Sequence, residues 1–141
     1  MTIATEISIE APAEKVWAVL IDFDNYPNWN PFITNISGTP KKGAVLGIQI
    51  GTMRFRPQVL ECNSPKTLKW LGSLWFKGIF DGEHLFEIRP EGPEKTTFRQ
   101  VETFSGLTVP LFKRKLQHDT KNGFIAMNKA LKLQCEEQQF S

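Results

Sequence analysis

His84 and Glu102 stand out in this chain. His84 falls between Phe80 and Phe86, and Glu102 between Phe98 and Phe104, each on the apolar side of a run that alternates at period two. A polar group in such a place must find a partner or water, because an unsatisfied buried group costs about 1–3 kcal/mol. On adjacent strands the two side chains face one another. A carboxylate beside an imidazole raises the imidazole pKa and fixes one tautomer, as a general acid/base requires. The same arrangement also serves as a satisfied core pair, or as pocket residues that orient the polar end of a ligand. The expectation is a direct or water-bridged hydrogen bond between them, with the imidazole pKa above its ordinary ~6.5.

No other catalytic pattern accompanies them. The sequence has no GxSxG, no P-loop, no GxGxxG and no HExxH. His84, His118, Cys62 and Cys135 are widely separated and make no metal-ligand spacing, so neither a metal nor a cofactor is expected. A net charge of +2 is too small to argue for a nucleic-acid partner. No apolar run approaches the ~18 residues of a membrane span. The start of the chain has neither a basic stretch nor an apolar core of a signal peptide, and reduced thiols are the simplest reading of the cysteines. A cytoplasmic protein is therefore expected. Asn35-Ile36-Ser37 is then a chance match to a glycosylation acceptor.

The elements that must position the pair follow from periodicity. Thr2 to Glu10 alternates, with Ile3, Thr5, Ile7 and Ile9 on one face. Pro12 opens a short helix whose buried face is Val16, Trp17, Leu20 and Ile21, and Phe23 to Trp29 makes a second helical turn. Trp29 sits either at a cavity mouth or as a staple between the short helices and the sheet. Six further strands follow over 32–37, 44–50, 53–62, 67–74, 79–89 and 96–105. Pro57 marks an edge or a bulge within the third of these. Leu68, Trp70 and Leu74 share one face of the next. Short turns between the strands imply an antiparallel meander.

Pro110 to about Gln138 reads as one long helix, roughly 40 Å from end to end, with Thr108 placed to cap it. Phe112, Leu116, Thr120, Gly123, Phe124, Met127, Leu131 and Gln134 form its buried stripe. Thr120 and Gly123 break the stripe where a packed core would want large residues. Either Gly123 admits a neighbour closely, or the helix faces a space that side chains do not fill. Lys113-Arg114-Lys115 oppose the helix dipole, and suit either an anionic ligand or surface near the entrance or a solvated face. The class is α+β: a single domain over 1–141, with a curved seven-stranded antiparallel sheet wrapped around the C-terminal helix and two short helices after the first strand.

Three stretches resemble one superfamily. Ile9-Glu10-Ala11-Pro12-Ala13-Glu14-Lys15-Val16-Trp17, continuing to Tyr26-Pro27-Asn28-Trp29-Asn30-Pro31-Phe32, is similar to the N-terminal motif of START/Bet v 1-like (SRPBCC) proteins. Phe80-Asp81-Gly82-Glu83-His84-Leu85-Phe86 resembles a mid-sheet strand of their polyketide cyclase/dehydrase and lipid-transport group. Glu102-Thr103-Phe104-Ser105-Gly106 with Pro110 and 123–131 resembles that group's last strand and helix. The resemblance implies a helix-grip fold with a cavity between sheet and helix that takes apolar or amphipathic small molecules.

The residues expected to line that cavity are Trp70, Phe80, His84, Phe86, Phe98, Glu102 and Phe104 from the strands. Phe112, Leu116, Thr120, Phe124 and Met127 join them from the helix. The leading expectation is binding of a hydrophobic or amphipathic small molecule. An enzyme of cyclase or dehydratase type, with His84 and Glu102 as acid and base, is the alternative, and a chaperone-like interaction module is a third. The sequence is silent on oligomeric state.

Overall fold

The computed structural model describes residues 1–73 and 78–137. Along the chain come β1 (Thr2–Ile9), α1 (Ala13–Ile21), a 3-10 turn over Phe23–Asn28, β2 (Ile33–Ser37), β3 (Gly47–Ile50) and β4 (Met53–Phe55). Then follow β5 (Gln58–Asn63), β6 (Thr67–Ser73), β7 (Asp81–Gly92), β8 (Lys95–Ser105) and α2 (Val109–Glu137). This is the α+β helix-grip arrangement, antiparallel strands gripping a long C-terminal helix. Leu74 and Gln138, placed at the ends of a strand and of the helix by periodicity, lie outside the described residues.

The strand expected over 53–62 is two strands. Pro57 has no N–H to continue a ladder, and pairing stops at Arg56 and Pro57. β4 pairs with β3 in a three-stranded sheet, β2-β3-β4, while β5 joins a five-stranded sheet ordered β1-β8-β7-β6-β5. The two sheets are stitched across the break by Leu46 N–H to the Pro57 carbonyl at 2.8 Å and by Val59 N–H to the Ala44 carbonyl at 2.9 Å.

Register sets which side chains share a row on the inner face. One row runs Ile3, Glu102, His84, Trp70, Val59 across β1, β8, β7, β6 and β5. The row beside it runs Thr5, Gln100, Phe86, Leu68, Cys62. On the other side lie Phe104, Gly82 and Gly72, so two adjacent strands present no side chain there.

The two halves of α2 meet different surroundings. Met127, Leu131 and Cys135 are buried in the main core with Ile9, Val16, Leu20, Phe86 and Phe98. Asn128 and Cys135 are buried, whereas Gln134, assigned to the stripe from sequence, is half-exposed. This half is tied along β1. Asn128 Nδ2 donates to Thr5 Oγ1 at 3.0 Å, Lys132 Nζ to the Ser8 carbonyl at 2.8 Å, and Glu10 N–H donates to Glu136 Oε2 at 2.8 Å. In the other half Leu111 to Lys115 are all exposed, and Leu116 and Thr120 only half-buried. Thr108 does not cap the helix with its side chain. Its hydroxyl donates to the Ile79 carbonyl at 2.8 Å and pins the helix start to the approach of β7.

Candidate functional site

The N-terminal half of α2, anchored by Val109 and Phe124 in a small core with Ile3 and Phe104, spans a cavity of about 560 Å³. Trp70, Gly72, Gly82, His84, Glu102 and Phe104 form its floor on the five-stranded sheet. Ile48, Ile50, Met53 and Phe55 of the smaller sheet form one wall, and Phe112, Leu116, Thr120 and Phe124 of α2 form the roof. The mouth lies between the β3–β4 turn at Gly51-Thr52 and the exposed side chains of Lys115 and Asp119.

Much of the cavity's room comes from glycine. Gly72 and Gly82 are cross-strand partners on the inner face. A Cβ on Gly82 would stand 2.8 Å from Glu102 Oε1, and one on Gly72 would stand 3.3 Å from Pro57 Cβ. Side chains there would fill the floor and push the Glu102 carboxyl aside. Their signal in the sequence is the inner-face parity of two glycines in neighbouring strands.

Gly123 behaves differently. A Cβ there would overlap the Phe32 ring, which packs against the helix at this point and stands edge-on to Phe124, with ring centroids 5.7 Å apart. Of the two readings of the broken stripe, close approach holds at Gly123 and open space holds at Thr120. Phe32, which precedes β2, becomes part of the cavity wall.

Nine of the residues expected from sequence line this space: Trp70, Phe80, His84, Glu102, Phe104, Phe112, Leu116, Thr120 and Phe124. Phe86, Phe98 and Met127 do not. Each is fully buried in the main core, deeper along its element than the cavity reaches. Trp29 is the staple rather than a mouth residue, half-buried against the core with its ring edge-on to Tyr26 at 5.2 Å.

His84 and Glu102 are direct cross-strand partners, as their parity requires. They are not hydrogen-bonded. His84 Nδ1 stands 3.6 Å from Glu102 Oε2, beyond hydrogen-bond reach, and that buried oxygen has no partner among the described residues. The imidazole instead bonds diagonally through Nε2 to Gln100 Oε1 at 2.9 Å. Gln100 Nε2 in turn donates to Asn128 Oδ1 at 2.7 Å, and Asn128 donates to Thr5. With its amide nitrogen committed to Asn128, Gln100 offers His84 only an acceptor. His84 therefore carries its proton on Nε2 and turns the Nδ1 lone pair toward Glu102.

The ring lies in an aromatic box. It stacks on Phe86 at 4.1 Å and meets Trp70 and Phe124 at 5.3 and 4.9 Å. Burial there pushes the His84 pKa down to about 3, against the smaller opposing effect of the Gln100 bond. That reverses the raised value expected from a charged pair. Burial, aided by the charge of Glu83, lifts the Glu102 carboxyl to about 8. At neutral pH both groups are thus uncharged. The floor carries a carboxylic acid able to donate a proton or a hydrogen bond, next to an imidazole lone pair. Gln100 and Asn128, which fix this state, are not among the site residues expected from sequence. The polar Gln100 between Phe98 and Glu102 at inner parity is the signal that finds one of them.

Comparison with known proteins places the chain. The family model described as polyketide cyclase / dehydrase and lipid transport matches residues 1–134. The chain belongs to that family. Among solved structures, the family member resembles protein MLL2253 from Mesorhizobium loti at 20% identity, with 98% of each chain covered and a TM-score of 0.79. It also resembles a START superfamily protein from Mycobacterium smegmatis at 21% identity, covering 97% of this chain and 98% of that one, with a TM-score of 0.74. Norcoclaurine synthase from Thalictrum flavum, in complex with dopamine and hydroxybenzaldehyde, matches at 13% identity over 97% of this chain and 87% of its own, with a TM-score of 0.74. At these identities the likeness establishes the START-like fold. No curated protein sequence matches this polyketide cyclase / dehydrase family member.

Proposed function

We propose that the protein binds an apolar or amphipathic small molecule in the cavity under α2, with an uncharged oxygen of the ligand, a carbonyl or a hydroxyl, on the Glu102 carboxyl. The observation that carries this reading is the place of Glu102: a carboxyl at the floor of a largely apolar space, with one oxygen lacking a partner among the described residues, where burial lifts its pKa to about 8. Burying apolar ligand surface supplies about 25 cal/mol per Å², and one neutral donor at the floor orients the ligand without burying a charge. Free Cys62 and Cys135 fit the reducing cytoplasm in which we place the protein. The nine lining residues named above are the proposed ligand contacts.

The test compares Glu102→Gln with Glu102→Leu in binding of a neutral, ketone-bearing fluorophore. The amide of Gln keeps a donor, so Gln should retain affinity and Leu should lose it. Equal affinity in the two variants would mean that a neutral donor at this position does not hold the ligand, and would reject this reading.

A second reading rests on the same pair. The acid titrates near 8, within reach of neutral pH, and an imidazole lone pair stands 3.6 Å from it. A cofactor-independent cyclase or dehydratase acting on a polyketide-like or aromatic substrate would use Glu102 to give a proton and His84 to take one. Norcoclaurine synthase, on the same fold, is an enzyme. Loss of turnover in His84→Ala with binding intact would favour catalysis over binding alone.

A further inference from the structure

The mouth of the cavity is flanked by side chains that ligand binding does not use. Leu107 and Leu111 are 80% and 79% exposed. They bracket the start of α2, whose following residues Phe112, Lys115 and Leu116 reach the cavity. Met53, in the cavity wall on the smaller sheet, is also 44% exposed. Apolar side chains gathered at one end in this way mark a contact surface.

The same stretch is cationic. Lys113, Arg114, Lys115 and Lys121 are all exposed, against Asp119 alone between Val109 and Lys121. Lys115 pairs with Asp119 at 3.6 Å. Among the described residues Lys113, Arg114 and Lys121 have no acidic partner. Three of the four cations stand in the first turns of the helix, where the dipole opposes them.

We propose that this face docks on an anionic lipid bilayer, so that an apolar ligand passes between bilayer and cavity without crossing water. Charge complementarity selects that occupant. The leucines are short enough to sink beneath the headgroups, while the long Lys and Arg stems reach back to the phosphates. A second copy of the chain fits poorly, because a two-fold contact would set the same cations against each other. The claim goes beyond ligand binding and is tested separately from it.

The experiment is cosedimentation of the full chain with vesicles of phosphatidylcholine alone or phosphatidylcholine mixed with phosphatidylglycerol. The wild type should partition onto the anionic vesicles in preference to the neutral ones and be released by added salt. Reversing two cations, Lys113→Glu with Arg114→Glu, should lower the partition coefficient about tenfold or more. Leu107→Ser with Leu111→Ser should also weaken it. Both double variants should keep the wild-type melting point and cavity uptake of Nile red, a neutral dye, which separates a failure of docking from a failure of the cavity. Wild-type sedimentation with neither vesicle, or equally with both, would overturn the proposal, as would variants that bind like wild type. A solution dimer dissociated by Leu111→Ser would assign the face to a second copy and overturn it too.

Discussion

Between about pH 3 and pH 8 His84 is a neutral imidazole and Glu102 keeps its carboxyl proton. Ordinary groups in the unfolded chain behave differently, the carboxyl titrating near 4.5 and the imidazole near 6.5. From pH 4.5 to 8 the folded state keeps a proton on Glu102 that the unfolded chain has lost. Folding is therefore weakened as pH rises, by about 1.4 kcal/mol per unit, to a ceiling of about 5 kcal/mol. From pH 3 to 6.5 the unfolded His is protonated and the folded one is not, so that group makes stability climb with pH at the same slope. The pair's summed contribution should rise from about pH 3 to 4.5, run level to about 6.5, and fall to about 8, losing ~2 kcal/mol over that last stretch.

The assay is urea unfolding by tryptophan fluorescence at closely spaced pH, wild type beside Glu102→Gln. Other acids cancel in the difference. The stability of the Gln variant relative to wild type should climb steadily from about pH 4.5 to 8. A difference that stays flat over this range would refute a neutral, buried acid.

Gly123→Ala should destabilise the fold even though Ala gains up to ~1 kcal/mol of helix propensity, because its Cβ overlaps the Phe32 ring. Phe32→Leu in the same chain should recover part of the loss, and a double-mutant cycle by thermal melting measures the coupling. Phe86→Ala should cost about 3–5 kcal/mol, as for a full core aromatic, whereas Phe80→Ala at the cavity wall should cost less, as denaturant midpoints will show. A neutral ketone-bearing fluorophore should bind about 1–3 kcal/mol more weakly once pH passes about 8, where Glu102 stops donating; fluorescence titration on either side of that value reads the change.

Much of this site is legible in the sequence because period two fixes the face of every strand residue. Parity alone brings Trp70, His84, Glu102 and Phe104 to the inner face, and antiparallel order alone sets His84 opposite Glu102. Parity does not fix depth. Phe80, just before β7, and Phe104, near the end of β8, stand at the cavity, and Phe86 and Phe98 in the main core with Met127 and Leu131 of α2, yet their local patterns look alike. Nor does parity choose among hydrogen-bond partners, so the diagonal neighbour Gln100 takes the imidazole in place of the opposite carboxyl. The filling of Gly123 by Phe32 depends on a contact spanning most of the chain, which no local window contains. Pro57 does announce the break in its strand, but not that the two pieces join different sheets.

The central claim is that the space under α2 holds an apolar molecule with its polar oxygen on Glu102. Native mass spectrometry of the protein purified from its own cells tests it most directly, wild type beside Thr120→Phe, which puts a ring into the roof of the cavity. The account predicts a co-purifying, uncharged molecule on the wild-type chain that Thr120→Phe excludes. A bare wild-type chain, or an adduct that Thr120→Phe retains in full, would contradict it.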